Sequence, residues 1–550
     1  MSQISPLQRL WRLVKSERSE IRNVYIFALF QGMVNLTLPL GIQAIINLLQ
    51  AGELRASWIV LVVFVILGVF FNGLLQLRQM GITEAIEQRL FVRSSFDFAY
   101  RLPRASFDSV KSKYFPEVMN RFFEIMTVQK GISKLLLDFS TAAIQIIFGL
   151  ILLSFYHPLF ILLGLILILL IAAIFKLTGK EGLDSSLEES KHKFAVAHWL
   201  EELSRTFTTF KLSGITSMPL EQTDYHTSKY LDARKRHFSI LVTQYKVLVL
   251  FKIILAASLI IAGSFLVING QINIGQFVAA EIVILMIIGN VEKVILNMST
   301  VYDVLTALDK IGSITDIQLE REGGIDVRET LKKEGVHVKI DNLSYTFSDA
   351  NTPVIHNFSL EIMPGERVCV AGGNGSGKTL LMKLLTGYFA GFQGSITVNG
   401  LPLENIDLVT LREITGENFT DQGVFKGTVV ENITCGRKHI DINQVMEAAR
   451  LVKLHDSITH MPEGYHTMID PEGKILSGGI LRKLVLARCL VGNPHLILME
   501  DNLQAILPDE RMEILQNMLR EFPQATILII SNNPAVHQLT GGRVITMQKA

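Results

Sequence analysis

The sequence predicts two domains of different kinds, an α-helical membrane domain of six helices followed by an α/β domain. Three observations carry this. The first 300 residues hold six apolar stretches, each near the roughly 20 residues a helix needs to cross a bilayer. Beyond residue 335 the texture changes to short β-like runs, VHVKI, RVCVAG, LILM and TILIIS, alternating with helical patterns. That alternation describes a largely parallel sheet with covering helices. Inside this second region lies the glycine-rich string GGNGSGKT. Composition agrees: 550 residues are too many for one ordinary core, and 49% hydrophobic against 19% charged residues leaves too little charge for a wholly soluble chain. A net charge of +1 with no long basic run argues against nucleic acid as the main partner. Cys369, Cys435 and Cys489 show no metal-ligand spacing and fit a reducing compartment rather than a disulfide framework.

The apolar stretches cover about residues 24–48, 58–75, 135–155, 158–175, 247–268 and 274–296, and they pair as three hairpins with small turns on one side. Arg9, Arg12, Lys15, Arg18 and Arg22 precede the first stretch. With no small-residue cleavage site after it, the stretch reads as an uncleaved membrane helix rather than a signal peptide. Pro39 and Gly41 predict a bend within it. The connections on the other side, about 76–134 and 176–246, are long, basic and helical in spacing. The bias of basic residues toward the cytoplasm puts them and both termini on that side of a cell membrane, the inner or plasma membrane if the source is bacterial. Six buried helices of a large soluble protein would rarely all reach spanning length. The polar segment 318–335, QLEREGGIDVRETLKKEG, is read as a linker, leaving residues 1–317 as the membrane domain and 336–550 as the α/β domain.

The glycine-rich string, Gly372, Gly373, Asn374, Gly375, Ser376, Gly377, Lys378 and Thr379, follows a strand-like run and opens a helical one. This is the context in which glycines let successive backbone N–H groups converge on phosphate at a helix N-terminus. Lys378 is then placed to reach β- and γ-phosphates, and the Thr379 hydroxyl to ligate Mg²⁺. The fold class is a six-helix membrane domain followed by an α/β P-loop ATPase domain.

A second string, Leu476-Ser477-Gly478-Gly479, precedes the helical LRKLVLARCL, with PEGY upstream and NPHLILMED downstream. With these, the chain resembles the ABC transporters, and its layout is that of an exporter half-transporter, nearest in texture to the ATPases that secrete peptides and proteins. The resemblance implies ATP and Mg²⁺ as cofactors and a head-to-tail cassette dimer. In that dimer Ser477, Gly478 and Gly479 contact the γ-phosphate held by a partner chain. It also implies an aromatic residue stacked on adenine about 25 residues before the P-loop, here Phe347, with Tyr345 as the alternative. The transported substrate is left open among peptide, lipid and drug.

Four positions depart from the family pattern. The carboxylates ending the second Walker strand are inverted to Glu500-Asp501, so that Glu500 supports the metal and the water-orienting role falls to the shorter Asp501. A misplacement of roughly 1 Å there can cost about 100-fold in rate. The aspartate that helps cassettes communicate is replaced by Leu507, and the switch histidine by Asn532, which has no titratable proton. The glutamine of the loop facing the nucleotide aligns with Thr420, and Gln422 two residues on substitutes only if that loop is rearranged. The expectation is a cassette that binds ATP and dimerises but hydrolyses weakly at its own Walker site. A heterodimer with a competent second half-transporter ranks only slightly ahead of a homodimer. The rival expectation is a nucleotide-gated regulatory subunit with vestigial hydrolysis.

In the membrane domain Glu281 and Glu292 lie eleven positions apart on nearly one helix face. They are candidates for lining a translocation cavity, because ionisable groups inside a span are costly to keep. The competing expectation is that Glu281 pairs within the bundle or approaches the interface, and that Glu292 pairs with Lys293. Lys252, Gln31, Asn35 and Gln145 are weaker candidates of the same kind, such groups more often forming interhelical hydrogen bonds than binding substrate.

Overall fold

The computed structural model describes residues 4–51, 56–111, 114–214, 216–331, 335–347, 349–473 and 476–549. Residues 52–55, in the turn read between the first two spans, and 332–334, in the segment read as linker, lie outside the described residues. The chain divides into two compact units. One is Met1–Ala105 with Ser109–Gln318; the other is Ser106–Asp108 with Leu319–Ala550.

The first unit is helical. Helix α1 (Pro6–Ser16) begins at a capping box in which Ser5 and Gln8 satisfy each other's backbone N–H groups. The first span is broken into α2 (Arg18–Asn35) and α3 (Thr37–Gln50). Pro39 has no N–H to offer the carbonyl four residues back, that of Asn35, and the break falls there. The Asn35 side-chain Oδ1 accepts from the Asn72 amide at 2.6 Å. Then come α4 (Ala56–Arg101), α5 (Glu124–Tyr156), α6 (Leu159–Arg205), α7 (Met218–Ile268), α8 (Ile274–Leu296) and α9 (Met298–Thr315).

Among the described residues six helical stretches are long and apolar enough to cross a membrane: Arg18–Gln50, Ala56–Arg104, Glu117–Tyr156, Leu159–Arg205, Met218–Ile268 and Ile274–Thr315. The long basic connections are continuations of these helices; α7, at 51 residues, is about 76 Å long. Phe70, Leu169 and Ile261 are 63, 66 and 72% exposed on these helices, as side chains facing lipid rather than water would be. The inward faces form a core that includes Leu248, Leu255, Ala280, Val283, Ile287 and Val291.

Polar groups inside this bundle pair across helices. Asn290 donates to Gln145 at 2.8 Å, and Asn297 to Asp138 at 2.8 Å. Glu292 is not an open carboxylate and does not pair with Lys293. It contacts the Lys252 ammonium of α7 and accepts the Tyr245 hydroxyl at 3.0 Å. Glu281 lies on the same side of α8, half-buried, with no ion-pair partner among the described residues. Gln31 is buried, and its Oε1 has no hydrogen-bond partner.

The second unit has two main sheets. An antiparallel one runs in the order β2 (Ile355–Ile362), β1 (Val338–Tyr345), β4 (Gln393–Val398), β5 (Leu401–Pro402). A parallel one runs β9 (Arg543–Met547), β3 (Arg367–Gly372), β8 (Thr526–Ile530), β7 (Leu496–Glu500), β6 (Thr415–Asn418). Strand β7 is buried along its whole length, as a strand covered on both faces should be. The segment read as a linker is largely part of this unit. Glu320 makes a two-pronged ion pair with Arg412 at 2.7 and 2.9 Å, Ile325 exchanges backbone hydrogen bonds with Asn405 and Asp407, and Val327 is fully buried. Arg321 donates to the Leu403 and Glu404 carbonyls and Arg328 pairs with Glu413, so the segment's composition misleads.

Candidate functional site

Strand β3 lies between β9 and β8 with Val368, Cys369 and Val370 buried, which fixes where the chain leaves the sheet. It leaves through Gly372 at φ +148°, Gly375 at +78° and Gly377 at +85° into helix α10 (Lys378–Leu385). A Cβ on Gly372 would stand 2.4 Å from the Met547 carbonyl oxygen, and one on Gly377 2.8 Å from Ile355. Only glycine allows this loop to curl so that its N–H groups form a concave, anion-accepting nest. Gly373, Asn374 and Gly375 are exposed at its tip, while Ser376 is buried. The Lys378 ammonium donates to the carbonyls of Gly372 at 2.8 Å and Gly373 at 2.7 Å, and to Ser376 Oγ at 3.3 Å. Burial holds its pKa below the ordinary lysine value, opposed by the charge of Glu500.

Glu500, at the end of β7, is 7% exposed and fully engaged. One oxygen contacts the Thr379 hydroxyl. The other accepts the Thr420 N–H at 2.7 Å and its hydroxyl at 2.5 Å. These residues, with Lys383, Asp421, Asp501 and Ile530, line an open cleft of about 430 Å³. A hydroxyl and a carboxylate oxygen in contact are the hard donors that Mg²⁺ takes. With the nest and ammonium beside them, the donor set fits a magnesium-bound polyphosphate.

The other expected residues have partners of their own. Asp501 contacts the Arg511 guanidinium from α12 (Pro508–Glu521), which follows α11 (Gly478–Leu490), and accepts the Ser531 hydroxyl at 2.6 Å. Asn532 closes a two-bond ring on Gly372, accepting its N–H at 2.9 Å and donating to its carbonyl at 3.1 Å. Gln422 is not turned into the cleft; its Oε1 accepts the Phe419 N–H at 3.3 Å within its own turn. The side chain that reaches Glu500 from this loop is Thr420.

Phe347 is half-buried, edge-on to Tyr345 at 5.2 Å and Phe389 at 5.8 Å. Tyr345 is 4% exposed, with its pKa pushed up to about 12 by burial, and so is a core residue. Ser477 caps α11 by accepting the Ile480 N–H, and leaves itself and Gly478 exposed. Leu507 is 73% exposed at the cap position of α12, where it offers no side-chain hydrogen bond.

Sequence reasoning missed Arg511, Ser531 and Glu417. Glu417 lies on β6 three residues before Thr420, with Oε1 buried and unpartnered. Burial raises its carboxyl to about 7, against the pull of Arg412 and Arg437. A glutamate within ITGENF, next to a run of buried strand residues, was the only signal available.

A spanning helical domain and a P-loop cassette in one chain define a half-transporter. The family description "ABC transporter transmembrane region" matches residues 21–291, and "ABC transporter" matches residues 355–503. The chain belongs to the ABC transporter family. It is 27% identical over 285 residues to the alpha-hemolysin translocation ATP-binding protein HlyB of Escherichia coli O157:H7, covering 52% of this chain and 40% of that one. It is 31% identical over 229 residues to an ATP-dependent lipid A-core flippase of Saccharophagus degradans, covering 42% and 38%. The aligned stretches thus span about two fifths of these curated relatives. The fold is that of a bacterial Atm1-family ABC exporter solved with ATP bound, at TM-score 0.85 and 18% identity over 97% of this chain and 94% of that one.

Proposed function

We propose that this chain is one subunit of an ATP-driven membrane exporter that binds ATP with Mg²⁺ and hydrolyses it weakly at its own Walker site. The observation that carries this is the contact of Thr379 with Glu500 beside the P-loop nest, in a chain that also holds six spanning-length helices. The loop N–H groups and Lys378 hold the phosphates, Phe347 packs on the base, and Glu500 and Thr379 hold the ion. When bound, Mg²⁺ neutralises charge on the phosphate oxygens. Ser477, Gly478 and Gly479 meet nucleotide held by a second half-transporter, a heterodimeric partner in preference to a second copy. Cassette closure turns the membrane cavity outward, with cassettes and termini in the cytoplasm. Weak hydrolysis is supported by the commitments of Asp501 to Arg511 and Ser531, of Gln422 to Phe419, and of Asn532 to the Gly372 backbone.

The test is the purified chain in lipid bilayers, with ATP affinity and Mg²⁺-dependent turnover measured side by side. Binding that Lys378→Ala abolishes, with turnover well below about 1 s⁻¹, is expected. Undiminished affinity in Lys378→Ala would remove the site, and turnover in the ordinary enzyme range would remove the weak hydrolysis. Nucleotide-dependent closure with no turnover in any pairing would leave the regulatory subunit as the better reading.

A further inference from the structure

The surroundings of Asp501 explain more than its short side chain does. Its Oδ2 contacts the Arg511 guanidinium and accepts the Ser531 hydroxyl at 2.6 Å; its Oδ1 is buried without a partner. The two side chains are 9 and 14% exposed, and Arg511 Nε is also buried and unpartnered. A carboxylate that orients water must keep a lone pair within reach of that water. A charge-assisted bond to guanidinium is roughly twice as strong as a neutral one, so water does not compete for Oδ2. Freeing Oδ2 for a water in the cleft that Asp501 lines would strand a buried guanidinium that already lacks one acceptor.

We infer that Arg511 is a positioning residue that closes Asp501 into an ion pair and so withholds it from water at this chain's Walker site. This rests on the weak-hydrolysis reading above and supplies its cause. It also separates two explanations. If the missing methylene alone slowed the site, Asp501→Glu would restore turnover. If the ion pair slows it, the longer carboxylate is captured by Arg511 as well.

The experiment uses the full chain in lipid with Mg²⁺ and ATP, reading phosphate release at saturating nucleotide together with ATP affinity, all in an Asn532→His background. Asp501→Glu alone is expected to stay within about threefold of its parent. Asp501→Glu with Arg511→Gln should rise by at least about tenfold at unchanged ATP affinity. Replacing the second change by Arg511→Lys, which keeps the cation, should return the rate to the low level. Arg511→Met serves as a second neutral variant, with bound ATP reporting a folded cassette.

Full recovery by Asp501→Glu alone, or neutral Arg511 variants that bind ATP and remain slow, would overturn the inference while leaving weak hydrolysis standing. A fast unmodified chain would instead overturn the weak-hydrolysis reading itself.

Discussion

Glu417 makes the second unit's stability depend on pH in a calculable way. Its carboxyl titrates at about 7 in the fold against an ordinary 4.5, because burial disfavours the charged form. The two cations that oppose this are engaged elsewhere. Arg412 is paired with Glu320, and Arg437 is bonded to the carbonyls of Ile433, Thr434 and Arg488. A carboxyl whose pKa is raised by folding binds its proton more tightly in the folded state. Its stabilising contribution is therefore complete below pH 4.5 and lost as pH rises through about 7. The interval corresponds to about 3 kcal/mol, or about 6–12 °C in Tm for a domain of some 230 residues. Glu417→Gln stays neutral throughout and should lack this component. The assay is thermal unfolding of the cassette transition in the full chain, scanned from pH 5 to pH 8.5, comparing the two slopes. Every other titrating group contributes equally to both, so the difference isolates one carboxyl. Parallel curves would refute the argument.

Two further outcomes follow from geometry already described. Lys252→Met should leave Glu292 without its cation, with only the Tyr245 hydroxyl bond, and lower resistance to denaturation in detergent by about 2–3 kcal/mol. Lys252→Met with Glu292→Leu should recover most of that loss, and additive losses in the double-mutant cycle would contradict the pairing. Gly372→Ala places a Cβ 2.4 Å from the Met547 carbonyl at φ +148°, and should lose more than about 2 kcal/mol of cassette stability. Wild-type unfolding temperature and ATP affinity in that variant would contradict the backbone geometry.

The six spans were legible because length and apolarity are demanded by the bilayer and need no partner to be recognised. The P-loop was legible because its glycines serve backbone geometry, written locally between β3 and α10. What sequence could not give is partnership between distant residues. Lys252 meets Glu292 only because α7 and α8 pack together, while adjacency suggested Lys293. Thr420 rather than Gln422 reaches Glu500 because the turn after β6 satisfies Gln422 on Phe419. Arg511 finds Asp501 across ten residues of loop and helix. The charged segment after residue 318 looked free because composition records polarity but not whether Glu320 has found Arg412.

That last segment sets how much slack joins the two units. Helix α9 ends at Thr315, but the first unit runs on to Gln318, with Asp316 paired to Arg9 and Ile317 buried, and the second unit follows at Leu319. A tether of the predicted eighteen residues would absorb a rotation of the cassette. A join without free residues has no such slack, and a few glycines inserted after Gln318 should supply it while leaving both folded units untouched.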